Sequence, residues 1–304
     1  MSDLASAVIC TRNRPDFLRG ALESLDEQTL PRDQYEIVVV DNGDGSGGEI
    51  AREKGADVVL QVSEPGLSRA RNAGWRAANA MWIAFLDDDA VASPEWLEVG
   101  LDLLERSAAI AAGGPILPLY DERPPEWFRD EYELRTWGDR DRLLLPGETF
   151  SASNLFLARA ALDVVGGFDT RLGMRGSRIA VGEETALFGR LWERPDVRAV
   201  YSPRLVVRHR VSRRKTTVGY QLRRSAAAGD AWAVQNARRR RGARGAGRDA
   251  LAAAGLAGRA VLRLRRPWQQ WAVEELGPVA GRLGSLRRTL RSTPLSGIGR
   301  EDRR

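Results

Sequence analysis

The feature that most constrains this chain is an alternation over its first hundred residues, in which short apolar runs are separated by amphipathic stretches of helical period. The runs are "ASAVIC" (5–10), "YEIVVV" (35–40), "DVVLQV" (57–62) and "MWIAFL" (81–86). Between them lie "PDFLRGALESLDEQ", "GGEIAREKGA" and "GLSRARNAGWRAANA", and "SPEWLEVGLDLLERS" follows the fourth. In the first of these, Phe17, Leu18, Ala21, Leu22 and Leu25 recur at helical spacing behind Pro15, a residue suited to a first turn. In the last, Ser93 is the expected N-cap, with Pro94 in the first turn. Strands that are apolar at nearly every position must be covered on both faces. The pattern therefore predicts an α/β protein with a mainly parallel sheet flanked by helices.

In such sheets ligands bind beyond the carboxyl ends of the strands. The residues found there are Thr11 and Arg12 after the first run, Asp41 after the second, and Asp87, Asp88 and Asp89 after the fourth. Aspartate is a poor strand former, and three adjacent carboxylates repel one another. Such a triplet is either a wet turn ahead of a helix, whose dipole favours acids, or a site for a hard cation. Mg²⁺ or Mn²⁺ suits one or two carboxylates together with substrate phosphates. His209, the only histidine, ends the apolar strand "LVVRHRV" and is either a surface residue or a further metal ligand. Glu183 and Glu184 in "GEET" either complement a helix N-terminus or supply a general base. Arg69 and Arg71 in "GLSRARNAG" follow Pro65-Gly66 at a helix start, where they either face solvent or hold a diphosphate. No G-x-x-x-x-G-K-[ST] or post-strand G-x-G-x-x-G occurs, so neither a P-loop nor a dinucleotide site is supported.

Residues 113–215 are less regular. "ERPPEWFRDEYELRTWGD" reads as a loop or lid, "ASNLFLARAALDVVGGFD" as a strand, a helix and a Gly-Gly stop, "GEETALFGRLWERPD" as a helix, and "AVYSPRLVVRHRV" as two strands broken at Pro203. From about residue 216 the chain becomes Ala/Arg/Leu-rich and helical in period, with an expected frayed tail over "STPLSGIGREDRR". The organisation expected is thus residues 1–215 as one α/β domain and 216–304 as an appended helical region. The 304 residues carry a net charge of +6, and only Lys54 and Lys215 among the 47 basic residues are lysines. An arginine excess of this kind is also what GC-rich coding produces. The single cysteine, Cys10, excludes an internal disulfide and fits a reducing compartment. No secretory pattern begins the sequence and no run of about 18 apolar residues occurs, so a cytoplasmic protein is expected.

Taken together, "CTRNRPDFLRGALESLDEQ", "YEIVVVDNGDG", "GLSRARNAG", "WIAFLDDDAVASPEWL", "SNLFLARAALDVVGGFD", "GEETALFGRL" and "VVRHRV" resemble, in order and spacing, the family 2 glycosyltransferases of the GT-A fold. The resemblance covers roughly residues 5–215. It implies an inverting transfer of a sugar from a nucleoside-diphosphate sugar to an acceptor hydroxyl, with Mg²⁺ or Mn²⁺ and a UDP- or dTDP-sugar as donor. It implies a nucleotide-sugar-binding half (1–112) and an acceptor half (113–215). It assigns Thr11 and Arg12 to the nucleotide pocket, Asp41 to the base, and Arg71 to the base or diphosphate. By position alone, Arg69 and Asp88 are further donor-side candidates, with Asp88 otherwise holding the turn. Asp87 and Asp89 fall on the DxD motif, Asp89 as the principal metal ligand, and His209 falls on the histidine that completes that site. Glu184 falls on the second position of an acidic pair that supplies the catalytic base. That base is commonly Asp, so Glu183 stays open as the alternative.

The acceptor expected is a carbohydrate, a lipid-linked sugar or a small molecule, in polysaccharide, glycolipid or secondary-metabolite glycoside synthesis. Trp127 and Trp137 are candidates to stack on it, although packing is the commoner role of such residues. "AVLRLRRPWQQWAVEELG", with Arg263, Arg265, Arg266, Trp268 and Trp271, suits a peripheral membrane surface. It equally suits packing on the catalytic domain or a homodimer through the C-terminal helices. "ARRRRGARGAGR" (237–248) allows a nucleic-acid reading, which no accompanying recognition motif supports. A non-catalytic sugar- or nucleotide-binding module is the remaining alternative.

Overall fold

A computed structural model of the protein describes residues 4–176, 179–235, 243–262 and 267–292. Arg263, Arg265, Arg266, residues 237–242 of the basic stretch and the tail from 293 lie outside the described residues.

The chain divides into two compact units, residues 1–178 with 182–214, and residues 179–181 with 215–304. The first unit begins with the alternation read from the sequence: β1 (Ala5–Thr11), α1 (Pro15–Asp26), β2 (Tyr35–Asp41), α2 (Ser46–Glu53), β3 (Val58–Gln61), α3 (Leu67–Ala77) and β4 (Trp82–Asp87). It continues through β5 (Ala90–Ala92), α4 (Trp96–Ser107), β6 (Ala111–Gly113), β7 (Ile116–Tyr120), β8 (Arg142–Leu143), β9 (Leu155–Ala158), α5 (Arg159–Val165), α6 (Glu183–Leu191), β10 (Ala199–Tyr201) and β11 (Val207–Val211). Eight strands form one sheet in the order β3-β2-β1-β4-β9-β6-β10-β8. The first four are parallel, and β9 runs antiparallel to both β4 and β6. A second sheet has the order β5-β11-β7. The two strands read on either side of Pro203 therefore belong to different sheets.

Register levels the strand ends that matter. Thr11 lies opposite Asp41, and Cys10 opposite Asp87, so β1, β2 and β4 finish together. Alternate residues along these strands feed two cores. Ala7, Ile9, Ile37, Val39, Ala84 and Leu86 pack on one face with Leu18, Leu22 and Leu25 of α1 and Trp96 of α4. Val8, Val38, Val40, Ile83 and Phe85 pack on the other with Trp75 of α3 and Leu187 and Phe188 of α6. Burial on both faces is why the runs lack polar alternation. Helix α3 lies close on the sheet because residue 74 is glycine. A Cβ there would meet Val8 at 2.5 Å and Val40 at 3.0 Å.

One helix start differs from expectation. The N-cap of α4 is Glu95, not Ser93. Ser93 is held by backbone bonds instead: its N–H donates to the Val206 carbonyl and its carbonyl accepts from the Trp96 N–H, each at 3.0 Å. The Gln28 side chain takes the capping role from outside, accepting from the Leu97 N–H at 2.9 Å.

The second unit contains α7 (Val218–Gln235), α8 (Ala243–Leu262) and α9 (Trp268–Trp271), then a π-helical turn (Ala272–Leu276) into α10 (Gly277–Ser292). Helices α7 and α10 meet through glycine, with Gly284 against the Ala226 backbone and Gly229 against that of Gly281. Among the described residues no helix is long and apolar enough to cross a membrane.

Candidate active site

The aspartate triplet stands where the chain leaves the large sheet at the end of β4 and enters the small one at β5. Strand β11 pairs antiparallel with β5, setting His209 opposite Ala90, and the Arg210 N–H continues the ladder to the Asp89 carbonyl at 2.8 Å. That register brings His209 onto the triplet across 120 residues of chain. Its Nε2 lies 3.0 Å from Asp89 Oδ1 and 3.9 Å from Asp87 Oδ2.

The three aspartates have separate surroundings. Asp87 accepts from Arg71 Nη2 at 2.9 Å and from the Ser153 hydroxyl. Burial pushes its carboxyl up, but the charges of Arg71 and His209 outweigh this and hold it below its ordinary value. Asp88 is wholly buried, accepting from Thr11 Oγ1 at 2.8 Å and pairing with Arg14 Nη2 at 2.5 Å. Burial pushes this carboxyl up to about 7, against the opposing charge of Arg14. Asp89 turns one oxygen to His209 and the other to Arg14 Nη1, at 3.1 Å.

Behind Asp87, Arg71 is only 3% exposed and spans three carboxylates. Besides Asp87 it reaches Glu183 Oε1 at 3.1 Å and Glu184 Oε1 at 3.5 Å, while its guanidinium stands over the Phe168 ring. Glu183 and Glu184 open α6, where acids complement the helix dipole. They differ in access. Glu183 is buried, with Oε2 lacking a hydrogen-bond partner, and burial together with the Glu184 charge pushes it up to about 8. Glu184 is half-buried and accepts from the Ala152 N–H at 3.2 Å through Oε1. Cys10 does not serve as a nucleophile here, since burial pushes its thiol up to about 12.

The other sequence candidates divide. Asp41 is fully buried, accepting from the Gly43 N–H at 2.7 Å and the Gly48 N–H at 3.0 Å, and so shapes the β2–α2 loop. Arg12 donates to the Asn42 carbonyl at 3.3 Å, and Arg69 pairs with Glu64 at 2.6 Å. Trp127 joins a cluster with Phe128 and Tyr132, while Trp137 donates to the Thr149 carbonyl and lies under Arg142. Among the described residues, these partners of the two tryptophans lie outside the acidic cluster. Arg14 and Ser153 were not singled out from the sequence. Arg14 carried one signal, its position just ahead of Pro15 at the start of α1, and Ser153 carried none.

Among the described residues, Asp87, Asp89 and His209 offer ligand atoms within 4.8 Å of one another. Two carboxylates and an imidazole make a donor set that fits Mn²⁺ or Mg²⁺, so these residues would hold such an ion.

The sequence model described as "Glycosyl transferase family 2" matches residues 6–164, just over half of the chain. The chain belongs to glycosyl transferase family 2. It is 28% identical over 233 residues to a glucosyl-dolichyl phosphate glucuronosyltransferase of Haloferax volcanii, covering 72% of this chain and 73% of that one. It is 30% identical over 192 residues to the succinoglycan biosynthesis protein ExoM of Rhizobium meliloti, covering 59% and 58%. Among solved structures it is similar to the mannosyltransferase PcManGT from Pyrobaculum calidifontis in complex with GDP-Man and Mn²⁺. There the TM-score is 0.63 at 19% identity, covering 94% of this chain and 89% of that one. This family 2 member is therefore a glycosyltransferase enzyme with a GT-A fold, and its DxD-like cluster is Asp87 and Asp89.

Proposed function

We propose that this glycosyltransferase is metal-dependent and inverting, moving a sugar from a nucleoside-diphosphate sugar to a hydroxyl of a carbohydrate acceptor carried on a lipid. The reading rests on one observation: the Asp87, Asp89 and His209 donor set shares Arg71 with the acidic pair at the start of α6. A cation site and a base are thereby held in one charged network. The acceptor class is supported by the dolichyl phosphate substrate in the name of the H. volcanii relative. UDP- and dTDP-sugars follow from the sequence resemblance, whereas the Pyrobaculum neighbour carries GDP-Man, so these donors are the arms to screen.

Glu184 is the proposed base. Its Oε1 is steadied by the Ala152 N–H and Arg71, whereas Glu183 is buried and holds its proton to about pH 8. As the acceptor hydroxyl attacks the anomeric carbon, Glu184 takes its proton, and the bond from that carbon to the diphosphate oxygen breaks with its electron pair leaving on the nucleotide. A single displacement inverts the anomeric centre and needs no second nucleophilic carboxylate. A divalent cation bound by Asp87, Asp89 and His209 supplies charge stabilisation for the departing diphosphate. Arg71 orients Asp87 and Glu184 while its charge offsets their repulsion.

Glu184→Gln should keep donor binding by calorimetry while turnover falls by about 10²–10⁴, the usual worth of a general base. Wild-type turnover by that variant, with loss of activity in Glu183→Gln, would transfer the role to Glu183. Retention of configuration in the product, read by NMR, would overturn the inverting mechanism.

A further inference from the structure

The second unit has its apolar residues in unusual places. Over residues 179–181, 215–234, 247–260 and 267–290 no leucine, valine, isoleucine or tryptophan is buried, although Leu222, Leu256, Leu276 and Leu286 are half-buried. The buried positions are small or polar: Ala231, Ala253 and Ala260, for example, with Asp249 accepting from Ser285 Oγ at 2.7 Å. Outward stand Leu251 at 77% exposed, Trp268 at 60%, Leu290 at 59% and Leu283 at 50%. A helical unit stable in water hides leucine and shows alanine. Small residues between helices with large apolar ones outside is the arrangement used next to lipid.

Charge is segregated to the same unit. Residues 215–304 contain 20 basic and 6 acidic side chains, whereas residues 1–214 contain 27 and 35. Coding bias would raise arginine throughout, yet only this unit is cationic. Its described acids are all buried or half-buried, while Arg248 and Arg259 on α8 and Arg282 and Arg287 on α10 are exposed. On α10, Leu283, Arg287 and Leu290 recur at helical spacing on the outward side.

We infer that this helical unit lodges in the interface of an anionic lipid membrane, with its arginines on the headgroups and its leucines and Trp268 in the acyl boundary. None of its described helices is long and apolar enough to cross, so the helices lie in the surface. Arginine stems reach along apolar surface to the headgroups, and tryptophan favours the same level. A second copy of this chain is the poorer occupant, because two surfaces of this charge repel. Nucleic acid would use the arginines and leave the leucines without purpose. The inference stands on this unit alone and is independent of the chemistry proposed for the first.

The test is co-sedimentation of the full chain with phosphatidylcholine vesicles, with and without a quarter of phosphatidylglycerol, at about 0.15 M and about 1 M salt. Anionic vesicles should bind at least about tenfold more tightly than neutral ones at the lower salt, as expected for an interfacial basic surface. The triple variant Arg248→Glu, Arg259→Glu, Arg287→Glu should lose that preference. Leu251→Ser, Leu283→Ser, Leu290→Ser should weaken vesicle binding and leave turnover of a soluble acceptor unchanged. Circular dichroism checks that both variants keep their helices, and the lipid and salt dependence of the unmodified chain tests the inference without them. Failure to bind anionic vesicles at the lower salt overturns it. So does equal binding to single-stranded RNA that is indifferent to the leucine changes, or dimerisation through the leucines without vesicle binding.

Discussion

Single residues in the site are ranked by what surrounds their charge. Glu183 shows the sign most directly. Its carboxyl moves from an ordinary value of 4.5 to about 8 on folding, through burial and the neighbouring Glu184 charge. Between those two values the folded chain holds a proton that the unfolded chain has released, so this group lowers stability as pH rises through the window. Glu183→Gln removes that dependence while keeping an oxygen for Arg71. Relative to wild type, its unfolding free energy should therefore improve by about 2 kcal/mol or more between pH 5 and pH 8, a discounted share of the full linkage. Parallel urea titrations giving the same pH dependence for both proteins would count against a buried, protonated Glu183. Residue types at strand ends made Asp87, Asp89 and His209 candidates beside a plainer surface reading, a helix start did the same for the acidic pair, and the structure draws them together around Arg71. Residue types were not enough to separate Glu183 from Glu184, because both are acids at a helix start and only the packing of α6 distinguishes a buried carboxyl from a half-buried one. Asp88 looked like its neighbours in sequence, yet it points inward to Thr11 and Arg14.

At the scale of elements, the long regular pieces were legible and the short ones were not. The first four strands and their helices repeat a period that sequence carries openly. Strands β6 and β8, of 3 and 2 residues, carry too few positions to show any period. The antiparallel insertion of β9 between β4 and β6 depends on contacts far apart in the chain. Yet β9 matters to the site, since the loop before it supplies Ser153 to Asp87 and the Ala152 N–H to Glu184. Helix α3 carries Arg71, and its seat depends on Gly74, one turn further on. Gly74→Val should force the helix off Val8 and Val40, costing about 1–3 kcal/mol as overpacking usually does. Because Arg71 moves with the helix, turnover should fall more than a surface change of equal destabilisation would cause. A variant of lowered Tm but unchanged kcat and KM would mean that the seat of α3 does not set Arg71.

Across the whole molecule, the two units solve different problems. The first buries leucine, phenylalanine and tryptophan on both faces of its sheet and gathers five carboxylates, at the end of β4 and the start of α6, around Arg71, Arg14 and His209. A ligand that binds among them should stabilise the folded chain. With Mn²⁺ and the correct nucleotide-sugar at about a hundred times their Kd, linkage gives about 2.7 kcal/mol, or roughly 5–10 °C in Tm for a unit of this size. Neither Mn²⁺ alone nor the nucleotide-sugar alone should reach that shift, because each leaves charge that the other balances. Asp89→Ala removes a carboxylate that faces both His209 and Arg14, so the joint shift should collapse in that variant while its shift with nucleotide-sugar alone is little changed. His209→Ala should show a smaller loss of the joint shift. Scanning calorimetry that finds the full joint shift in Asp89→Ala would remove Asp89 from the cation site. The same scan across UDP-, dTDP- and GDP-sugars would report the donor base as the nucleotide giving the largest joint shift.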